Sequence, residues 1–317
     1  MGEPLPTVTL EHRPGCWYAQ QLREHDWRLA MPDAAIAEIE ARLDSDAALS
    51  AGGTFAHTRA FLARVRARLF EGPGVVVAGR LPVAQWGDAR AQRAVSILAH
   101  LMGPPVQQTN AGVTLYAVED RGLQPAPGVR RSLTNVAQAF HTDGPWVVSP
   151  PWIVGLYCLR AAGVGGSSQC ISMRALFDDL AIQAPALARR LEQGFIWHRQ
   201  AEHAPQDAPV SRHPMVWRDA SGRWCARLYA DYVTSGYAAA GEPIDAVASQ
   251  ALERITQLCA EPHRRLSFDL AAGEVLWLNN RWCAHARSAF EPSHSTTRPR
   301  LLVRVWHRLD GAVALDG

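Results

Sequence analysis

The sequence predicts an α+β fold, a jelly roll (double-stranded β-helix) with flanking helices and a lid insertion. Three observations predict it. Residues 1–105 carry mostly helical patterns, short apolar and β-branched runs bounded by Gly and Pro fill 106–172, and such runs return over 265–310. Strands gathered in blocks after a helical start, without strict strand–helix alternation, point to two packed antiparallel sheets. A chain of 317 residues with 48% hydrophobic content can bury a large core. No linker divides it, so residues 1–317 are expected to form a single domain.

The elements follow in order. Residues 33–44 (DAAIAEIEARLD) place apolar side chains at helical spacing behind a Pro-Asp start, and Thr54 to Phe70 does the same beneath an Arg-rich outer face. GPGVVVAG, residues 72–79, is a β-branched run between glycines and suits a buried strand. A third helix spans Asp88 to Met102 and stops at Gly103-Pro104-Pro105. Strands are then expected at Gly112 to Val118, Trp152 to Leu159 and Ser168 to Ser172. Residues 173–264 form a helical and lid insertion, with helices at Met173 to Glu192 and Pro243 to Cys259. Between these helices, roughly 197–240, His, Arg, Trp and Tyr occur without a clear period, which predicts a long irregular segment lying over one face of the sheets. The last strands are Arg265 to Leu270, Val275 to Asn279 and Arg300 to Arg308. Trp152, Trp277 and Trp306 fall in strands and are read as core.

Composition removes several functions. The chain has no lysine, so all 32 of its Lys+Arg residues are arginine. Schiff-base chemistry and a phosphate-loop lysine are both excluded. The net charge is +2, with Arg scattered among Asp and Glu, which gives no nucleic-acid surface. The six cysteines form no C-x-x-C pair and read as buried, reduced thiols. The stretch Met1 to Pro14 lacks the apolar core of an export signal, and no apolar run is long enough to span a membrane. A cytoplasmic protein acting on a small molecule, with no membrane partner, is expected.

The chemistry centres on Phe140-His141-Thr142-Asp143-Gly144. If residues 139–143 are a strand, His141 and Asp143 leave the same face. An imidazole and a carboxylate at one spot are two thirds of the facial triad that holds Fe(II) with three positions open. The same pair can also simply close a strand end by bonding a turn.

Two further blocks accompany it. Residues 163–173 read Gly-Val-Gly-Gly-Ser-Ser-Gln-Cys-Ile-Ser-Met, and His285-Ala286-Arg287 precedes Arg300-Leu301-Leu302-Val303-Arg304. In this order and at roughly this spacing, the blocks resemble the taurine dioxygenase family of Fe(II)/2-oxoglutarate-dependent oxygenases, also described as clavaminate-synthase-like, over about residues 70–308.

The resemblance implies His141, Asp143 and His285 as iron ligands and Arg300 as the anchor of the distal carboxylate of 2-oxoglutarate, with the Ser168 hydroxyl against the same group. A guanidinium suits that anchor because its planar fork meets a carboxylate with two parallel hydrogen bonds. Arg304 matches an arginine that in relatives lies near the cosubstrate or contacts an anionic substrate, and Arg287 faces the same way as His285, either in the site or in an ion pair beside it. Gly165 and Gly166 are read as a turn that allows close backbone approach. Asn135, Gln138 and Trp146 flank the metal-binding strand as candidate substrate contacts, and Gln107 and Gln108 are further candidates. No catalytic side chain beyond the ligands is assigned.

The implied reaction consumes 2-oxoglutarate and O2, releases succinate and CO2, and hydroxylates an unactivated C–H bond, with desaturation or cyclisation as other outcomes of the same oxidant. Halogenating relatives replace the carboxylate with a small residue, and Asp143 is retained here. The expected substrate is a small organic acid, an amino-acid-like molecule or a natural-product intermediate, as in a tailoring step of secondary metabolism. Two other classes use the same residues. A non-catalytic jelly-roll binding protein predicts the loss of a ligand or cosubstrate residue, and all five positions are filled. A zinc hydrolase requires a general base beside the metal, and no residue is marked for it.

Overall fold

In the computed structural model the described residues are 13–44, 54–124, 129–204, 206–291 and 299–316. The N-terminal stretch read for an export signal lies outside them up to residue 12.

The chain begins with α1 (Glu24–Trp27), β1 (Arg28–Ala30), α2 (Asp33–Glu40) and α3 (Ala56–Glu71), followed by β2 (Val75–Gly79) and α4 (Val83–Met102). In α3 the buried residues Phe61, Leu62, Val65 and Leu69 recur every three or four positions, which makes the single apolar stripe expected of a helix lying on a sheet. Gly87, at φ 73°, separates a short first turn from the rest of α4, so the long helix starts where the sequence places it, at Asp88. Next come β3 (Pro105–Val106), β4 (Leu115–Glu119), β5 (Gln138–His141), β6 (Ile153–Arg160) and β7 (Ser168–Ser172).

The insertion holds α5 (Met173–Gln183), α6 (Pro185–Leu191), β8 (Gly194–His198), β9 (Val210–Pro214), β10 (Val216–Arg218), β11 (Trp224–Ala226), α7 (Ala230–Ala240) and α8 (Ala246–Ala260). The chain closes with β12 (Leu266–Phe268), β13 (Val275–Asn279), β14 (Cys283–Arg287) and β15 (Leu301–His307).

Seven strands form the larger sheet, in the order β1-β2-β13-β6-β15-β3, with β4 also paired to β15. Four form the smaller sheet, β12-β7-β14-β5. All pairings are antiparallel except β1 with β2. One hydrophobic core joins α2, α3 and α4 to the larger sheet, and a second gathers α5, α7 and α8 around β8. With both faces covered, β13 is buried at every position, which explains its unbroken apolar run.

The segment 197–240 differs from expectation. It holds two hairpins, β8 with β9 and β10 with β11, and then α7. No period-2 signal is there to read: β8 is buried at Phe195, Ile196 and Trp197 in succession, while β9 and β10 have no fully buried residue.

His307 ends β15 in an apolar setting, fully enclosed, with Nδ1 donating to the Gly103 carbonyl at 3.1 Å. Burial pushes it down to about 4. The unfolded chain takes up this proton near the ordinary value of about 6.5, so stability falls as pH drops from about 6.5 towards 4 and the loss levels below that. At pH 5 the expected loss is about 2 kcal/mol relative to pH 7, and His307→Gln should remove that share of the acid sensitivity in urea unfolding.

Candidate metal centre and adjoining cavities

Metal-ligand atoms of His141, Asp143 and His285 all lie within 4.8 Å of one another, and all three residues are buried. His141 and His285 face each other as paired residues of β5 and β14, their ring centroids 4.2 Å apart. Asp143 reaches the same point differently from the sequence reading, because β5 stops at His141. Alternation along a strand therefore does not place the carboxylate. The turn after β5 does, pinned by Thr142 N–H donating to Leu228 O at 2.8 Å and by Asn280, which accepts from Asp143 N at 2.8 Å and donates to Asp143 O at 3.0 Å. Gly144 completes the turn at φ 59°, and a Cβ there would sit 3.2 Å from the Trp306 ring.

The protonation pattern suits a cation. His141 Nδ1 donates to Ala139 O at 2.9 Å, which makes Nε2 the lone-pair nitrogen, 3.7 Å from Asp143 Oδ1 and accepting from the Gln138 amide at 3.0 Å. Burial, reinforced by His141, pushes His285 down to about 3, so its ring is neutral, and its Nδ1 has no hydrogen-bond partner among the described residues. Burial lowers His141 as well. Burial alone would raise Asp143, but the Arg304 charge and the Trp306 hydrogen bond work against it and favour the ionised carboxyl. Two neutral imidazoles and one carboxylate, buried and converging, fit Fe(II).

Three side chains orient the carboxylate. Arg304 Nη1 donates to Asp143 Oδ1 at 2.9 Å, Trp306 Nε1 donates to Oδ2 at 3.0 Å, and Gln108 Oε1 accepts from Arg304 Nε at 2.8 Å. Partners of this kind around a ligand are typically worth roughly 10–100-fold in metal affinity. Trp306→Phe keeps the ring and deletes the donor, so anaerobic Fe(II) titration should show affinity lowered by about 10-fold with the fold intact.

Two cavities meet at the ligands. The first is lined by His141, His285, Ser168, Arg287, Arg300 and Arg304, closed by Leu156, Leu276 and Leu302. Arg300 is buried there with Nη1 unpartnered, and burial weighs against its charge. Gly165 and Gly166 bring the neighbouring loop in close, at φ 76° and 75°, and a Cβ on Gly165 would lie 2.3 Å from Ala289 O. The second cavity is lined by His141, Asp143, Trp146, Tyr229, Tyr232 and Arg131 among others.

The structure thus brings together His141, Asp143, His285, Ser168, Arg300, Arg304, Gln138 and Trp146. Gln138 lines both cavities, its Nε2 3.0 Å from His141 Nε2. Arg287 also reaches the first cavity, but its Nη2 donates to the carbonyls of Thr134 (2.9 Å) and Val136 (2.5 Å), bracing the approach to β5. Asn135 departs from expectation. It ties to Phe290 through its side chain (3.2 Å) and backbone and lines neither cavity. Gln107 bonds the C-terminal segment at Val313 and Leu315 instead.

Sequence reasoning missed Asn280, Tyr229, Tyr232 and Arg131, and gave Trp306 only a core role. For Trp306 the signal was present: residues 304 and 306 share one face of β15, so an arginine reaching the site from position 304 carries the indole with it.

This His/Asp/His face between the sheets of a double-stranded β-helix defines a mononuclear non-haem iron oxygenase. The profile of the family described as taurine catabolism dioxygenase TauD, TfdA matches residues 42–306, and the chain belongs to that family. It is an Fe(II)/2-oxoglutarate-dependent oxygenase acting on a small organic molecule. Among relatives, FR-33289 synthase of Streptomyces rubellomurinus is 23% identical over 243 residues, spanning 75% of this chain and 70% of the relative. A uridine-5'-phosphate dioxygenase of a Streptomyces species is 27% identical over 241 residues, spanning 71% and 82%. The crystal structure of asparagine oxygenase shares the fold at a TM-score of 0.67 and 19% identity, covering 92% of this chain and 99% of that one.

Proposed function

We propose that the protein hydroxylates a C–H bond of a small organic molecule, with His141, Asp143 and His285 holding iron and Arg300 holding 2-oxoglutarate. The observation that carries the second assignment is Arg300 itself. A guanidinium buried in a cavity shared with two of the ligands, with no ion pair among the described residues and Nη1 unpartnered, is stable only if an anion completes it. Bound there, iron and 2-oxoglutarate supply an O2-derived oxidant, with release of succinate and CO2. The chain contributes the rest. Ser168 offers a hydroxyl beside Arg300, Leu156, Leu276 and Leu302 exclude water, and Arg304 and Trp306 fix Asp143 before anything binds. The second cavity shares His141, Gln138 and Arg304 with the first and adds Asp143, which puts it beside the ligands as the place for a substrate. The relatives' names suit such a molecule, one of them being a uridine-5'-phosphate dioxygenase.

No described helix is long and apolar enough to cross a membrane. The six cysteines are free and buried, which supports a reducing compartment such as the cytoplasm. The test is succinate release across a panel of amino acids, betaines, sulfonates and natural-product intermediates. Release should require Fe(II), 2-oxoglutarate and O2 together, and activity sustained by Zn(II) without O2 would overturn the assignment.

A further inference from the structure

The second cavity has one charge too many. Its described charged lining is Arg130, Arg131, Arg304 and Asp143. Arg304 is held by Asp143 and Gln108. Arg130 is paired with Glu202, which also accepts from Asn110 N at 2.7 Å, and lies 5.2 Å above the Tyr116 ring. Arg131 lines the cavity half-buried, with no ion pair and no side-chain hydrogen bond among the described residues. Two arginine–carboxylate pairs cancel, and Arg131 is left as an uncompensated cation.

Its surroundings are equally specific. Trp146 is 5% exposed and its Nε1–H, a donor only, has no partner among the described residues. Tyr229 and Tyr232 stack with centroids 3.9 Å apart at 23°, and Trp146 stands 5.7 Å from Tyr232. Arg131 and both tyrosines line the same cavity. The cavity therefore combines an unpaired cation and an idle donor with an aromatic wall.

We propose that the substrate is an organic anion whose charged group is received by Arg131, with Trp146 Nε1–H as a second donor, and whose flat or apolar body lies on the Tyr229–Tyr232 stack. Arg304, to which the family resemblance points for an anionic substrate, is engaged by the metal-binding carboxylate, and Arg131 takes that place from a different loop. A carboxylate, a phosphonate and a phosphate monoester share the required chemistry. The inference rests on the oxygenase reading only in treating this cavity as the substrate side of the site.

The test is calorimetric titration, without O2, of the Fe(II)- and 2-oxoglutarate-saturated protein with phenylacetate, phenylphosphonate, phenyl phosphate and neutral phenylacetamide. At least one acid should bind ~10-fold or more tighter than the amide, as expected for a charge-assisted hydrogen bond, and the tightest arm identifies the headgroup. Arg131→Gln should bring acids and amide within about 2-fold of each other while Fe(II) and 2-oxoglutarate affinities stay at wild-type values. Arg131→Lys should restore part of the preference, and Trp146→Phe should weaken the acids by about 3–10-fold without affecting the amide. Acids that bind no better than the amide, or not at all, overturn the proposal, as does a preference that survives Arg131→Gln. Failure of the oxygenase reading shows earlier and separately, as a wild-type protein that takes up no 2-oxoglutarate when Fe(II) is added.

Discussion

His285→Ala should abolish Fe(II)-dependent turnover of 2-oxoglutarate and lower Fe(II) affinity by more than the roughly 10–100-fold that removal of an orienting partner produces. Two ligands remain, and both sit at the end of β5, so the ion loses the opposing strand that closes its third side. The fold should survive. The imidazole is neutral and its Nδ1 bonds nothing among the described residues, so deleting the ring orphans no partner there and leaves a small cavity. Equilibrium iron titration alongside thermal melting separates the two effects. Fe(II) affinity within a few-fold of wild type would dismiss His285 as a ligand.

Arg300→Ala should raise the 2-oxoglutarate requirement by about 100-fold or more, because a guanidinium fork makes two charge-assisted bonds worth about 1.5–3 kcal/mol each. KM for the organic substrate should hardly change, since Arg300 lines the first cavity and not the second. Ser168→Ala should act on the same parameter by about 3–10-fold, the share of a neutral hydrogen bond. Arg300→Lys should recover only part, as a point charge cannot reproduce the fork. Equal effects on substrate and cosubstrate would place the anion elsewhere.

The sequence reached most of the first cavity and little of the second, for a physical reason. Residues of the first cavity sit on strands whose alternation is readable: Ser168 on β7, His285 on β14, and Arg304 on β15 directly after Arg300. Strands Ser168–Ser172 and Val275–Asn279 coincide with their predicted bounds. Residues of the second cavity come from the turn after Asp143, the loop before β5 and the approach to α7, where position depends on contacts distant in sequence. Thr142 bonded to Leu228 is one such contact, and no local pattern encodes it. Asn135 illustrates the converse: close in sequence to the ligands, it is turned away by Phe290. Trp306, read as core, is enclosed as expected, and its single polar atom makes it part of the site.

The order of strands in the two sheets has a consequence for biosynthesis. β13 lies between β2 and β6, β14 between β7 and β5, and β15 between β6 and β3. All three come after residue 274, so a chain lacking them leaves β6 unpaired on both sides and β2, β3 and β4 each missing a neighbour in the larger sheet, and β7 and β5 unjoined in the smaller. Neither layer closes before these strands join it, and the iron site is assembled only when β14 reaches His141 across a long sequence separation. Metal loading therefore requires residues 283–287 to have joined β5, and cannot precede it.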